Sequence, residues 1–141
     1  INRVCLPENY SSFFFLDLYK RFPETFLVAE EDGEVEGYVM CRIESGLPSF
    51  GIGVGKKGHV ISIAVLPKHQ HQGVGYALMQ EAMQSMLIYK AKECFLEVRT
   101  SNTPAVKLYK KMSFEITRTL RGYYADGEDA YIMARKLPFK P

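Results

Sequence analysis

The chain has 141 residues, the length of one domain with a single core. Its 47% hydrophobic and 24% charged residues exclude a disordered or collagen-like chain, and no apolar run nears the roughly 20 residues that span a bilayer. A net charge of +2 is too small to imply a nucleic-acid binder, and three scattered cysteines, Cys5, Cys41 and Cys94, argue against a disulfide scaffold or structural zinc and fit a reducing cytosol.

The spacing predicts a short helix over Ser11–Phe22, capped by Ser11 or Ser12. Phe26–Glu31 and Val35–Ile43 read as strands joined by an Asp32-Gly33 hairpin turn. Gly46–Lys57, with its glycines and Pro48, reads as a long loop of functional character. Gly58–Leu66 reads as a strand apolar on both faces, hence central, with His59 in phase with Ile61, Ile63 and Val65. Gly75, Leu78, Met79, Ala82, Met83 and Met86 mark the buried face of a helix over about Gly73–Tyr89. Cys94–Val98 is a further buried strand. Pro104 opens a second helix capped by Asn102 or Thr103, with Ala105, Leu108, Tyr109 and Met112 as its stripe. Phe114–Leu120 and Ala130–Ala134 are the last strands, joined by Gly122–Asp129. The order gives an α/β domain with hairpins at both ends of a βα core.

At Val65–Leu78 a buried strand runs through a glycine-containing turn into a long helix. The first N–H groups of such a helix lack internal partners, and its dipole is positive there, so the turn can cradle a pyrophosphate. A P-loop would need Gly-Lys-Ser/Thr, which is absent, and a dinucleotide fingerprint would need Gly or Ala where Leu78 stands.

Gln70-x-x-Gly73-x-Gly75 resembles the coenzyme motif of the GNAT acetyltransferase superfamily. Together with Leu6-Pro7-Glu8-Asn9-Tyr10, Gly58–Val65, Leu96-Glu97-Val98-Arg99 and Tyr123–Tyr131, nearly the whole chain is similar to the catalytic subunits of NatA-type protein N-terminal acetyltransferases, which are RimI-like. The resemblance implies a GNAT fold, a mixed central sheet flanked by helices. It implies one domain over residues 1–141 that lacks its first strand and most of its first helix, with an upstream segment expected. It also implies acetyl-CoA as cosubstrate, no metal, and protein or nascent-peptide N-termini as substrates in the cytoplasm. A ribosome or auxiliary subunit is a compatible partner, and neither a specific nucleic acid nor a membrane is expected. Gln70-His71-Gln72 replaces the paired arginines frequent in relatives, and Gly46–Lys57 is longer than in eukaryotic ones.

Acyl transfer from a thioester to an amine needs a neutral amine, a polarised carbonyl and a proton for the thiolate. An α-amine with a pKa near 7.8 is roughly 15% neutral at pH 7, against ~0.04% for a lysine, so an N-terminal substrate asks less of a base. By resemblance, Glu8 lies by the amine, His59 and Glu97 relay a proton through water, and Tyr109 donates to the thiolate. The residues also admit plainer readings: Glu8 as an exposed carboxylate, His59 as a satisfied core histidine, Tyr109 as core packing. The coenzyme site implied is Ile63, Ala64, Val65, Gln70, His71, Gln72, Gly73, Val74, Gly75, Tyr76, Asn102, Ala105 and Tyr109, with backbone N–H near Val65 on the acetyl carbonyl. Leu6, Pro7, Glu8 and Tyr10 would grip the peptide on one side, Tyr123 and Tyr124 on the other. His69-x-His71 has no Cys, Asp or third His near it in sequence and reads as exposed loop, and Lys56, Lys57 and Lys68 as a solvated face. Alternative functions are a RimI-like ribosomal-protein or lysine acetyltransferase and a non-catalytic coenzyme A-binding module.

Overall fold

The computed structural model describes residues 12–50 and 53–140. Helix α1 (Ser12–Arg21) turns Phe14, Phe15 and Leu18 onto the sheet. Asp32 and Gly33, at φ 51° and 76°, form the two-residue turn between β1 (Phe26–Glu31) and β2 (Glu34–Gly46). Positive φ at both positions matches the twist of the flanking strands.

The expected loop over Gly46–Lys57 is largely strand. β2 runs to Gly46, β3 (Gly55–Val65) begins at Gly55, and the pairs Glu44↔Lys57 and Ser45↔Lys56 extend their ladder. Glycine density misleads here because Gly46 and Gly55 sit opposite each other as the last pair of the hairpin. The connecting segment is tied down where it is described. The Ser49 N–H donates to Glu93 Oε1 at 2.7 Å, and Lys57 Nζ donates to the Leu47 carbonyl at 3.1 Å.

Then follow α2 (Val74–Met86), β4 (Glu93–Arg99), α3 (Thr103–Lys111), β5 (Glu115–Leu120) and β6 (Ala130–Lys136). The predicted helix to Tyr89 ends at Met86 and tightens into a 3₁₀ turn over Leu87–Tyr89. Pro104 stands in the first turn of α3, and Asn102 caps it, accepting from the Ala105 N–H at 3.3 Å.

The strands form one mixed sheet in the order β1-β2-β3-β4-β6-β5. α2 and α3 cover one face. Val39, Cys41, Val60, Leu96 and Met133 meet Met79, Met83, Met86 and Met112 there. Burying such side chains is worth roughly 1.5–3 kcal/mol each. Gly58 makes that contact close, since a Cβ there would lie 2.1 Å from the Met86 sulfur. α1 packs on the other face against Tyr38, Met40 and Ala64.

Two features of β3 prepare the site. A bulge shifts its register on β2 between the pairs Met40↔Ser62 and Cys41↔Val60, leaving Ile61 as the extra residue. His59 and Ile61 therefore stand on the α1 side, while Ile63 and Val65 pack on the α2–α3 side. That corrects the expected common phase, which strict alternation had suggested. Second, the parallel ladder of β3 with β4 holds only from Lys57↔Glu93 to Val60↔Leu96. Beyond it β3 continues to Val65 and β4 to Arg99, so the strands part and open a notch.

Candidate active site

Two cavities meet in the notch. One of about 410 Å³ lies on the α1 side and includes Arg42, His59, Glu97, Tyr123 and Tyr124 in its walls. The other, about 840 Å³, is walled by Val65, Gln70–His71, Gly73–Tyr76, Leu108 and Lys111. Ile63, Asn102, Ala105 and Tyr109 line both. A long ligand entering over α2 can thus reach the parted strands and meet a second molecule entering from the tyrosine side.

The larger cavity is built for an anion. Gly73, at φ 82°, is the N-cap of α2, no side chain caps the helix, and a Cβ at Gly73 would meet nothing within 4 Å. The first-turn N–H groups therefore face open space at the positive end of the dipole. Gly75 differs: a Cβ there would touch Leu108 of α3 at an ordinary 3.5 Å. Gln70 does not extend towards the cradle, because its amide donates to the Val65 carbonyl at 2.9 Å. Lys111, exposed at the end of α3 with its Nζ 5.9 Å from the Tyr76 ring, brings positive charge that sequence spacing did not suggest.

The smaller cavity holds the titratable groups. His59 and Glu97, assigned to neighbouring strands, are in direct contact: Nε2 lies 2.9 and 2.7 Å from the two Glu97 oxygens, with no water needed between them. Glu44 of β2, absent from the sequence-based set, lies with Oε2 2.6 Å from His59 Nδ1. Arg42 Nε donates to the same Glu44 oxygen at 2.9 Å. The signal was present in the alternation of β2, which puts Arg42 and Glu44 on one face, but only the β2–β3 register brings them to His59. Phe95 stacks on the imidazole with centroids 4.1 Å apart. Burial alone lowers the imidazole pKa, yet the bonds and charges of Glu97 and then Glu44 outweigh it and raise it above its ordinary value. Burial likewise pushes Glu44 up, and His59 and Arg42 bring it below the usual range.

Tyr109 is buried against Phe114, and burial pushes its phenol well above the ordinary value. Tyr123 and Tyr124 are placed by an ordered turn. Tyr124 N–H donates to the Glu128 carbonyl at 3.1 Å, and Gly127 N–H to that of Tyr124 at 2.8 Å. Arg99 Nη1 donates to Asp126 and to Glu128, each at 2.9 Å, with its guanidinium 4.1 Å from the centre of the Tyr124 ring. The Tyr123 hydroxyl donates to Glu97 Oε1 at 3.4 Å. Arg99, for which spacing suggested no role, thus anchors the tyrosine hairpin. Leu6, Pro7, Glu8 and Tyr10 lie outside the described residues, as do Ser11 and Cys5. His69 and His71 do not converge on one another's partners: His69 Nδ1 stands 3.2 Å from Glu36 Oε1, whereas His71 is exposed on the loop.

A mixed sheet that parts between two parallel central strands, with a helix N-terminus at the mouth, defines a class of acyl-coenzyme A-dependent transferases. The chain belongs to the acetyltransferase (GNAT) family, whose model matches residues 1–114. It is 52% identical to the N-alpha-acetyltransferase of Sulfurisphaera tokodaii, over 97% of this chain and 84% of that protein. Its fold is similar to the crystal structure of Ard1 from Thermoplasma volcanium, with a TM-score of 0.85, 32% identity, and coverage of 98% and 87% of the two chains. It is also similar to Arabidopsis thaliana Naa50 in complex with the bisubstrate analogue CoA-Ac-MVNAL, with a TM-score of 0.81, 25% identity, and coverage of 96% and 87%.

Proposed function

We infer that this chain is an acetyl-CoA-dependent acetyltransferase that acts on the N-terminal α-amine of proteins. The observation that carries this reading is the meeting of the two cavities at Tyr109, with Glu97 and His59 on the far side of the notch from the helix cradle. The relative named an N-alpha-acetyltransferase, at 52% identity, supports the choice of acceptor. Among the described residues no helix is long and apolar enough to cross a membrane. The buried free thiols of Cys41 and Cys94 are in keeping with a cytoplasmic setting.

The groups present fit the cosubstrate. The first-turn N–H groups of α2 take the pyrophosphate, with Lys111 supplying charge that Gln70 does not. Pantetheine lies across Ile63, Asn102 and Ala105, and the thioester comes to the parted strands beside Tyr109. The peptide enters between Tyr123, Tyr124 and the sheet, and Glu8 completes the grip from the other side. The amine nitrogen attacks the thioester carbonyl carbon, the N–C bond forms, and the C–S bond breaks with its electron pair on sulfur. Glu97 takes the amine proton. A phenol held above its ordinary pKa keeps its proton, so Tyr109 steadies the leaving sulfur by donating a hydrogen bond, and the thiolate then takes a proton from solvent.

Mass spectrometry on three peptides tests the reading: a free N-terminus, a blocked N-terminus with an internal lysine, and both together. Acetylation only where the N-terminus is free is expected. Modification of the lysine alone favours a lysine acetyltransferase. Acetyl-CoA binding without transfer favours a binding module. Glu8→Gln is expected to cut turnover by about 10-fold or more on the general-base scale.

A further inference from the structure

Glu44 makes one of the shortest polar contacts His59 has, 2.6 Å at Nδ1, and it does not wall either cavity. A carboxylate only accepts hydrogen bonds. An imidazole held by carboxylates at both nitrogens therefore donates from both, and the ring is an imidazolium. With both N–H groups engaged it has no lone pair to offer an incoming amine. Glu97 has that capacity, because a carboxylate carries about four acceptor sites and only the His59 N–H and the Tyr123 hydroxyl occupy them here.

We propose that Glu44 is a positioning residue for acetyl transfer: by gripping Nδ1 it turns the Nε2–H of His59 onto Glu97, and leaves Glu97 rather than His59 to take the amine proton. This rests on the transfer reading above. The groups that face His59 are Arg42 and Glu44 of β2, Phe95 and Glu97 of β4, and the Tyr123 hydroxyl reaching Glu97. Lys57 of β3 stands over the outer ring of that stack, 4.5 Å from the Phe95 centroid, and lies 3.6 Å from Glu93. Arg42 fixes Glu44 in turn by donating to the oxygen that meets His59. The chain of hold runs Arg42, Glu44, His59, Glu97. In the chemical step the amine proton moves to a Glu97 oxygen as the N–C bond forms, and passes from there to solvent. His59 stays charged throughout and orients the acceptor.

The test uses the full chain with Glu44→Gln and Glu44→Asp. His59 is titrated by NMR, and kcat and KM are followed from about pH 6 to 9 with an N-terminal peptide, with folding checked by thermal melting. In the wild type the charged ring is the productive form, so activity falls as pH rises through its pKa. Gln keeps the shape of Glu44 but not its charge. Glu44→Gln is expected to lower the His59 midpoint by about one unit and to move the basic limb of kcat to lower pH by as much, on the scale of one lost neighbouring charge. At pH 8 kcat should fall about 10-fold. KM for acetyl-CoA should hold, and Glu44→Asp should recover part of the loss. A His59 midpoint or a basic limb unmoved by Glu44→Gln overturns the proposal. So does movement of the acidic limb instead, which would make His59 the base. A wild type that acetylates no peptide overturns the functional reading. An active wild type with an unshifted Glu44→Gln overturns the role of Glu44 alone.

Discussion

Glu97 interrupts a strand in which Leu96 and Val98 are buried on the helix side, and a carboxylate so placed is costly unless it is paired or used. It is paired to His59 on one side and opens to the smaller cavity on the other. Removing its charge while keeping its shape should therefore act on the chemical step. Glu97→Gln is expected to lower kcat by about 10²–10⁴-fold, the usual span for a general base, and to leave acetyl-CoA affinity by calorimetry within a factor of about two. Affinity lost in step with turnover would move Glu97 into binding. Gly73 is the opposite case. Its φ of 82° and the open space at its Cβ position tie it to the cradle, not to the core. Gly73→Glu adds like charge where the pyrophosphate sits, along with about 1 kcal/mol of left-handed strain. Acetyl-CoA binding should weaken at least 10-fold with a small change in melting temperature. An affinity equal to wild type would remove the cradle from the binding account. Gly75 is a weaker choice for the same test, because its Cβ would press on Leu108.

Among the elements, the tyrosine hairpin and the β3–β4 pair do the positioning. Glu128 is held down to about 2 by Ser101 and then Arg99, against an ordinary 4.5. A lowered carboxylate contributes in full above about 4.5, and its hold fades as pH falls towards 2. The Ser101 amide resonance should titrate in that range. Glu128→Gln should abolish the titration and raise peptide KM several-fold, leaving KM for acetyl-CoA alone. On the helix side, Gly58→Ala drives a methyl into the Met86 side chain, which is fully buried and has little room to yield. Overpacking of this kind costs roughly 1–3 kcal/mol, readable as a lower denaturation midpoint. The elements themselves were largely legible in sequence. The Asp32-Gly33 turn, the Met79–Met83–Met86 stripe and the Asn102–Pro104 helix start each carry a local rule that the fold obeys. The length of the β2–β3 hairpin was not legible, because pairing of Ser45 with Lys56 is non-local and glycines mask it. The bulge at Ile61 was hidden for the same reason, and with it the side on which Ile63 and Val65 lie. Residue by residue, Glu97, His59 and Tyr109 could be singled out from pattern and resemblance. Glu44, Arg99 and Lys111 could not, since their roles come from cross-strand register and from a turn that folds back on β4.

At the scale of the whole molecule, the sheet is two halves joined by a short parallel ladder. β1–β2–β3 and β4–β6–β5 meet through the pairs from Lys57↔Glu93 to Val60↔Leu96, and past Val60 the halves part over the cavities. α2 bridges them by packing on both β2 and β3 and on the core beneath β4. A cosubstrate lying in the notch would contact Ile63 on one half and Asn102 and Ala105 beyond the other, and so would tie the halves where the backbone does not. Binding to the folded state alone adds RT ln(1 + [L]/Kd), about 2.7 kcal/mol when the ligand is at 100 times its Kd. At roughly 3–5 °C per kcal/mol for a domain of this size, acetyl-CoA should raise the melting temperature by about 10 °C. The rise should come with a local signature. Hydrogen exchange should slow in the outer part of β3, Ile61–Val65, and in the first turn of α2, and change little in the β1–β2 hairpin turn at Asp32-Gly33. A peptide substrate alone reaches only the smaller cavity, so it should protect Arg99 and the Tyr123–Glu128 turn and raise the midpoint less. Protection spread evenly over the chain would mean that the ligand stabilises the fold globally without bridging the notch. Protection confined to the α2 turn would mean that it stops at the cradle and never reaches the parted strands.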